Sequence, residues 1–157
     1  MSTIPFITFA LGDELFAIAV TGVREVLDLS EVTRVPTAPS HMRGVINVRG
    51  SAVPVLDLRL KFGLPARPDT ASSRIVVFEL EIDGTTAIVG GVADSVHEVL
   101  ELDPAGLRAP PRVAMRWRAG MIEGLGKKGD QFVIVLDLAR VFASDEALLA
   151  ADGNQST

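Results

Sequence analysis

Ile7, Phe9 and Leu11 alternate with Thr8 and Ala10, the period-two pattern of a strand with one buried face. Gly12-Asp13 interrupts it as a turn, and Phe16, Ile18 and Val20 resume it, predicting a hairpin. The device returns further on. Val76, Phe78, Leu80 and Ile82 share one face, Asp83-Gly84 is a strong two-residue turn signal, and Thr85 to Val89 form the return strand. Between the hairpins, Thr33-Arg34-Val35-Pro36-Thr37-Ala38-Pro39 has too much proline for a ladder strand and predicts an extended edge. A turn over Pro39 to Arg43 then leads to Gly44-Val45-Ile46-Asn47-Val48-Arg49-Gly50, a strand bracketed by glycines. Alternation puts Asn47 and Arg49 together on the face opposite Ile46 and Val48. Gly44 and Gly50 are expected to hold positive φ or a close backbone approach. Near the end, Ser144-Asp145-Glu146-Ala147-Leu148-Leu149-Ala150-Ala151 combines a capping serine with an acidic first turn, predicting a helix, and residues 152–157 a frayed tail.

Each hairpin opens a copy of one longer pattern. Val23-Arg24-Glu25-Val26-Leu27-Asp28-Leu29 matches Val96-His97-Glu98-Val99-Leu100-Glu101-Leu102. Arg43-Gly44-Val45-Ile46-Asn47 parallels Ala119-Gly120-Met121-Ile122-Glu123, and Val53 to Leu58 parallels Val133 to Leu138. Three matches in one order imply a repeat: subdomain one over about residues 6–66, subdomain two over about 74–143, and Pro65 to Ser73 as the linker. Each half holds a hairpin, a third strand, an irregular crossing and two more strands. Five short strands without a long helix predict an all-β fold of two small closed barrels. Neither buries much surface alone, so the two should pack as one unit.

Composition narrows the function. The net charge is −5, with no stretch concentrating Lys and Arg, so the basic face that nucleic acid requires is missing. The chain has no cysteine, which excludes disulfides and thiolate metal sites. No export signal opens it, and no uncharged apolar run reaches the ~20 residues of a membrane helix, so the expectation is a cytoplasmic protein without direct membrane insertion. Asp57 and Asp137, at equivalent strand ends, could be an acid–base pair, but each precedes a short amphipathic stretch and is better read as a helix cap. His41 and His97 lack the spacing of metal ligands. Gly124 to Asp130 resembles a phosphate loop but precedes a strand, and is read as a polar hairpin loop. No catalytic, cofactor or metal site is predicted, and the protein reads as a binder of other proteins.

The sequence resembles the CheW family of chemotaxis coupling proteins. The resemblance runs through Leu11 to Ile18, Val23-Arg24-Glu25-Val26-Leu27, Arg34-Val35-Pro36, Arg43 to Gly50, Val53 to Arg59, Lys61-Phe62-Gly63, Val92 to Val96, Gly120 to Glu123 and Phe132 to Val141. It covers residues 4–143 as a single CheW-like domain, leaving 144–157 as helix and tail. Val48 and Ala52 stand where the family commonly has Leu and Val. The resemblance implies two five-stranded SH3-like barrels and an adaptor without chemistry. Its partners would be the helical-hairpin tip of methyl-accepting chemoreceptors and the regulatory domain of the histidine kinase CheA, at membrane-associated receptor arrays. On pattern alone, Asn47 and Arg49 fit an ordinary solvated strand face. The resemblance makes them, with Glu25 and Val26, the candidate receptor contacts. Two other possibilities stay open: the same adaptor fold in a motility or development array, and a small β-barrel enzyme or ligand-binding protein.

Overall fold

The alternating stretches become strands in the computed structural model, which describes residues 2–109 and 119–145. In chain order they are β1 (Ile4–Leu11), β2 (Glu14–Ala19), β3 (Val23–Asp28), β4 (Met42–Val48), β5 (Ser51–Asp57), β6 (Arg74–Ile82), β7 (Thr85–Ala93), β8 (Ser95–Leu102), β9 (Ile122–Lys128) and β10 (Gln131–Leu136). Two one-turn helices, α1 (Leu58–Lys61) and α2 (Leu138–Val141), follow β5 and β10. The strands form two five-stranded sheets, in the orders β8-β1-β2-β10-β9 and β3-β6-β7-β5-β4. The fold is thus all-β, with two related SH3-like units. Neither sheet closes by a ladder among the described residues. Instead, the segment after one edge strand reaches the other by a single bridge, Thr33 to Val45 beside β4 and Arg108 to Leu125 beside β9.

The assignment of strands to sheets differs from one contiguous barrel per repeat. The first hairpin, β1–β2, lies against β8 and β10, whereas the second, β6–β7, lies against β3 and β5. One sheet is therefore built from residues 23–93 without a break, and the other from the chain on both sides of it. The boundaries near 6–66 and 74–143 follow the sequence repeat, not the sheets. The corner after β7 shows why. Only Asp94 separates β7 from β8, and its N–H donates to the carbonyl of Ala10 at 3.0 Å, holding the chain beside β1 rather than back along β7.

Hairpin faces expected to meet solvent are buried as well. In β1, Phe9 and Leu11 join a large cluster with Phe16, Phe78 and Phe142, while Phe6 and Ala10 on the opposite face join Val133 and Val135. In β6, Val76, Phe78 and Leu80 enter the large cluster, and Ile75 and Val77 pack with Val53 and Val55. Each sheet thus has a small interior of its own, and the large cluster joins the two units. Thr8 is fully buried and satisfies its hydroxyl by donating to the carbonyl of Glu98 at 2.7 Å.

Asp57 and Asp137 cap the two short helices, accepting from Leu60 N at 3.1 Å and Arg140 N at 3.2 Å. Gly63 then ends α1 with φ +80°, a left-handed geometry that suits glycine. The linker is pinned rather than loose: Arg43 donates to both Asp57 and Asp69, and Arg59 donates to the carbonyl of Pro65. Of the helix expected at 144–151, the described part is a 3-10 turn over Ala143–Asp145, and the remainder lies outside the described residues.

A salt bridge locks the two sheets at the β7–β8 corner. The Asp94 carboxylate accepts from Arg59 Nε and Nη2, each at 2.9 Å, and from Gly12 N at 2.7 Å. Burial pushes this carboxyl up, but the Arg59 and Gly12 hydrogen bonds, with the charges of Arg59 and Arg67, outweigh it and hold it below the usual carboxylate range. A carboxyl lowered by folding stabilises the protein above its unfolded value, about 3.9, and that contribution is lost as pH falls through the lower folded value. Asp94→Asn leaves the buried Arg59 charge unpaired, so about 2–3 kcal/mol should be lost at pH 7. Thermal melts between pH 7 and pH 2.5 should converge for the two proteins below pH ~3.9; parallel curves would remove Asp94 as the source.

Candidate interaction site

Glu25 lies on β3, an edge strand, and Arg49 lies in the turn joining β4, the opposite edge, to β5. Arg49 is not a strand residue, contrary to the alternation over Gly44 to Val53. Val48 pairs with Ser51, leaving Arg49 and Gly50 as a two-residue turn with φ of 51° and 87°. Two successive positive φ values match the right-handed twist of the flanking strands, as in type I′ hairpins. Strand parity therefore does not govern where the Arg49 side chain points. Curvature of the sheet brings its two edges together, and the guanidinium meets Glu25 in a two-pronged pair, Nη1 to Oε2 and Nη2 to Oε1 at 2.9 Å. The hydrogen bond from Arg49, then its charge, lowers the Glu25 carboxyl despite partial burial, and Glu25 in turn raises the Arg49 guanidinium.

The pair is asymmetric in exposure. The Arg49 side chain is 72% exposed and that of Glu25 only 18%, so the free edge of the guanidinium faces outward. Asn47, also exposed, bends over the turn and accepts from Gly50 N through Oδ1 at 2.7 Å. Glu25, Asn47 and Arg49 are thus brought together. Val26 is not: the β3 alternation turns it to the other face from Glu25, where it is 37% exposed.

Gly44 and Gly50 differ in kind. Gly44, at φ +145°, lies within β4, and a Cβ there would strike the Thr33 carbonyl, with Thr33 C at 2.7 Å and Val32 Cγ1 at 2.9 Å. A Cβ at Gly50, where φ is +87°, would meet nothing within 4 Å, so only the backbone geometry favours glycine there. The ladders also correct the repeat alignment. Gly44 pairs with Val55 and Gly124 with Val135, so the counterpart of Gly44 is Gly124, not Gly120. Gly124 and Gly126 accordingly lie inside β9, where Gly124 abuts Leu107 and Arg108, and only Gly129 and Asp130 form the turn expected over Gly124 to Asp130.

With that alignment a second ion pair appears, one that the sequence pattern did not single out. Glu98 on β8 is the repeat partner of Glu25, and Lys128 at the end of β9 reaches its carboxylate. The hydrogen bond and charge of Lys128 lower Glu98 as Arg49 lowers Glu25. Exposed Val99 and Phe132 lie in the strands β8 and β10, with Lys127 over the Phe132 ring at 5.8 Å. The clue was the match between Val23-Arg24-Glu25-Val26 and Val96-His97-Glu98-Val99.

Both histidines are engaged among the described residues. Ser95 pairs with His97 at 2.8 Å, while buried Asp145 sits between His41 Nε2 at 2.6 Å and Lys61 Nζ at 2.8 Å. The Lys61 contact is a charge contact rather than an aligned hydrogen bond, and the ammonium also donates to Ser144 Oγ at 3.0 Å. Each histidine therefore holds one part of a Ser-His-Asp relay, in separate places. An open groove of about 970 Å³ borders the Pro-rich crossing, lined by Val35, Pro36, Met42 and Leu60. Of its charged members Arg34, Arg43, Asp57 and Asp69, the last three are paired with one another.

The family model described as "CheW-like domain" matches residues 5–146. The chain belongs to the CheW-like family. It is 31% identical to the chemotaxis protein CheW of Klebsiella aerogenes over 144 residues, covering 92% of this chain and 84% of that protein. It is 30% identical to the chemotaxis protein CheW of Helicobacter pylori over 140 residues, covering 89% and 82%. The crystal structure of the scaffolding protein TtCheW from Thermoanaerobacter tengcongensis superposes with a TM-score of 0.78 at 32% identity, over 90% of this chain and 93% of that one. The chain is accordingly a CheW-like chemotaxis adaptor, in a family of scaffolds. No described helix is long and apolar enough to cross a membrane.

Proposed function

We propose that this CheW-like chain is a cytoplasmic adaptor that couples methyl-accepting chemoreceptors to the histidine kinase CheA, without catalysing a reaction. The observation that carries the receptor half is the outward guanidinium of Arg49, held by Glu25 at the rim of one sheet. A receptor tip is a helical hairpin, and a helix docks through an apolar stripe whose register is fixed by polar contacts. Arg49 has N–H groups beyond the two that Glu25 accepts, and its planar fork suits a carboxylate or a helix-end carbonyl. Val26 would add an apolar contact from the other face of β3. The CheA regulatory domain would meet the ends of the barrels, leaving the Arg49 rim for the receptor at membrane-associated arrays.

The test is a bridging assay with the organism's own proteins. Immobilised CheA regulatory domain should retain a receptor cytoplasmic fragment only when this chain is added. Binding of one partner that excludes the other would overturn the coupling role.

A further inference from the structure

We infer that Asn47 is a positioning residue, whose side chain locks the β4–β5 turn in the backbone form that presents Arg49. Arg49 holds φ at 51°, a left-handed conformation that residues with a Cβ seldom adopt outside Asn and Asp. Its own side chain supplies no local hydrogen bond to compensate, because the guanidinium is drawn across to Glu25. The compensation comes from two residues upstream. Asn47 Oδ1 accepts from Gly50 N at 2.7 Å, closing a ring of bonds around Arg49. The ladder partner of Asn47 is Ala52, whose methyl leaves the amide room to bend over the turn.

The other sheet provides a natural control. Lys128 pairs with Gln131 there as Val48 pairs with Ser51, so Gly129 occupies the place of Arg49 and Lys127 that of Asn47. Gly129 takes a positive φ of 61° without needing help, and Lys127 has no acceptor to offer. An accepting side chain stands before the turn where an arginine must be left-handed, and not where glycine does the same. Freed of Asn47, Arg49 could relax to negative φ, which would swing its guanidinium away from Glu25.

The consequence for docking rests on the receptor role of Arg49 proposed above, so the test separates the two. Three proteins are compared: wild type, Asn47→Ala, and Asn47→Asp, which keeps the accepting oxygen. In Asn47→Ala, Gly50 amide exchange should quicken about fivefold, the scale of one lost hydrogen bond. Titration of the Glu25 carboxyl, followed by carbon NMR, should move up toward the ordinary carboxylate range. Affinity for the receptor fragment should fall about fivefold with the melting temperature nearly unchanged. Asn47→Asp should restore both the Gly50 protection and the affinity. Unchanged Gly50 exchange and Glu25 titration in Asn47→Ala would overturn the positioning role. If both move while receptor affinity does not, Asn47 does position Arg49, and it is the docking role of Arg49 that fails.

Discussion

Gly44→Ala is expected to cost about 4 kcal/mol of stability, near the upper end of single substitutions. Two causes combine. A residue with a Cβ is strained at φ +145°, and that methyl would occupy the space of the Thr33 carbonyl. The carbonyl cannot step aside cheaply, because it accepts from Val45 N at 2.9 Å while Thr33 N donates back to Val45 O at 2.9 Å. These bonds fasten the Pro-rich crossing to the outer edge of β4, so yielding would undo the bridge at that edge. For a chain of this size the melting temperature should drop by roughly 10–15 °C. Gly50→Val serves as the companion, losing only about 1–2 kcal/mol, because its space is open and the strain is backbone alone. Equal melting points for the two variants would show that the approach of Thr33 does not matter.

Arg49→Glu should separate binding from folding. The side chain is mostly in water, so the melting temperature should stay within a few degrees, even though the new carboxylate faces Glu25. Receptor-fragment affinity should fall by roughly thirtyfold or more, since a reversed charge adds repulsion to the lost contact. Affinity for the CheA regulatory domain should hold, and paired titrations of one preparation against both partners measure it. The double exchange Glu25→Arg with Arg49→Glu re-forms the pair with its polarity reversed. It should not restore receptor binding, because the partner meets a carboxylate where it needs a cation. Full restoration would mean that the pair matters only for holding the two sheet edges together. Loss of both partners with a lowered melting point would make Arg49 structural.

What the sequence reveals about this molecule depends on the range of the interaction. The Asp83-Gly84 turn, the flanking alternation and the capping aspartates are local, and each is visible in a window of a few residues. Partnership between strands is not. Both hairpins have the same apolar pattern, so pairing within a repeat or across repeats would bury the same Phe and Val side chains. The choice is made at corners such as Asp94. Arg49 misleads for a related reason: Arg-Gly is not among the usual type I′ pairs, so the turn is hidden inside a run that alternates like a strand. The Glu25–Arg49 contact depends on that turn and on the curvature of the sheet, and is written in neither segment alone. The family resemblance points to these residues; the geometry supplies the physical link between them.

Nesting one sheet inside the other along the chain has a consequence for how the protein must be made. Residues 23–93 contain every strand of the inner sheet, which can assemble as soon as that stretch has left the ribosome. The first hairpin emerges earlier but has no sheet to join. Thr8 waits for Glu98, 90 residues later, and Asp13 for Gln131, 118 residues later. Throughout that interval Phe9 and Phe16 have only each other and whatever part of the shared cluster has formed. Such distant closures are slow and leave apolar strand faces uncovered. The N-terminal hairpin is therefore the segment most exposed to misassociation during synthesis, and its partner strand β10 arrives only once Gln131–Leu136 has been made.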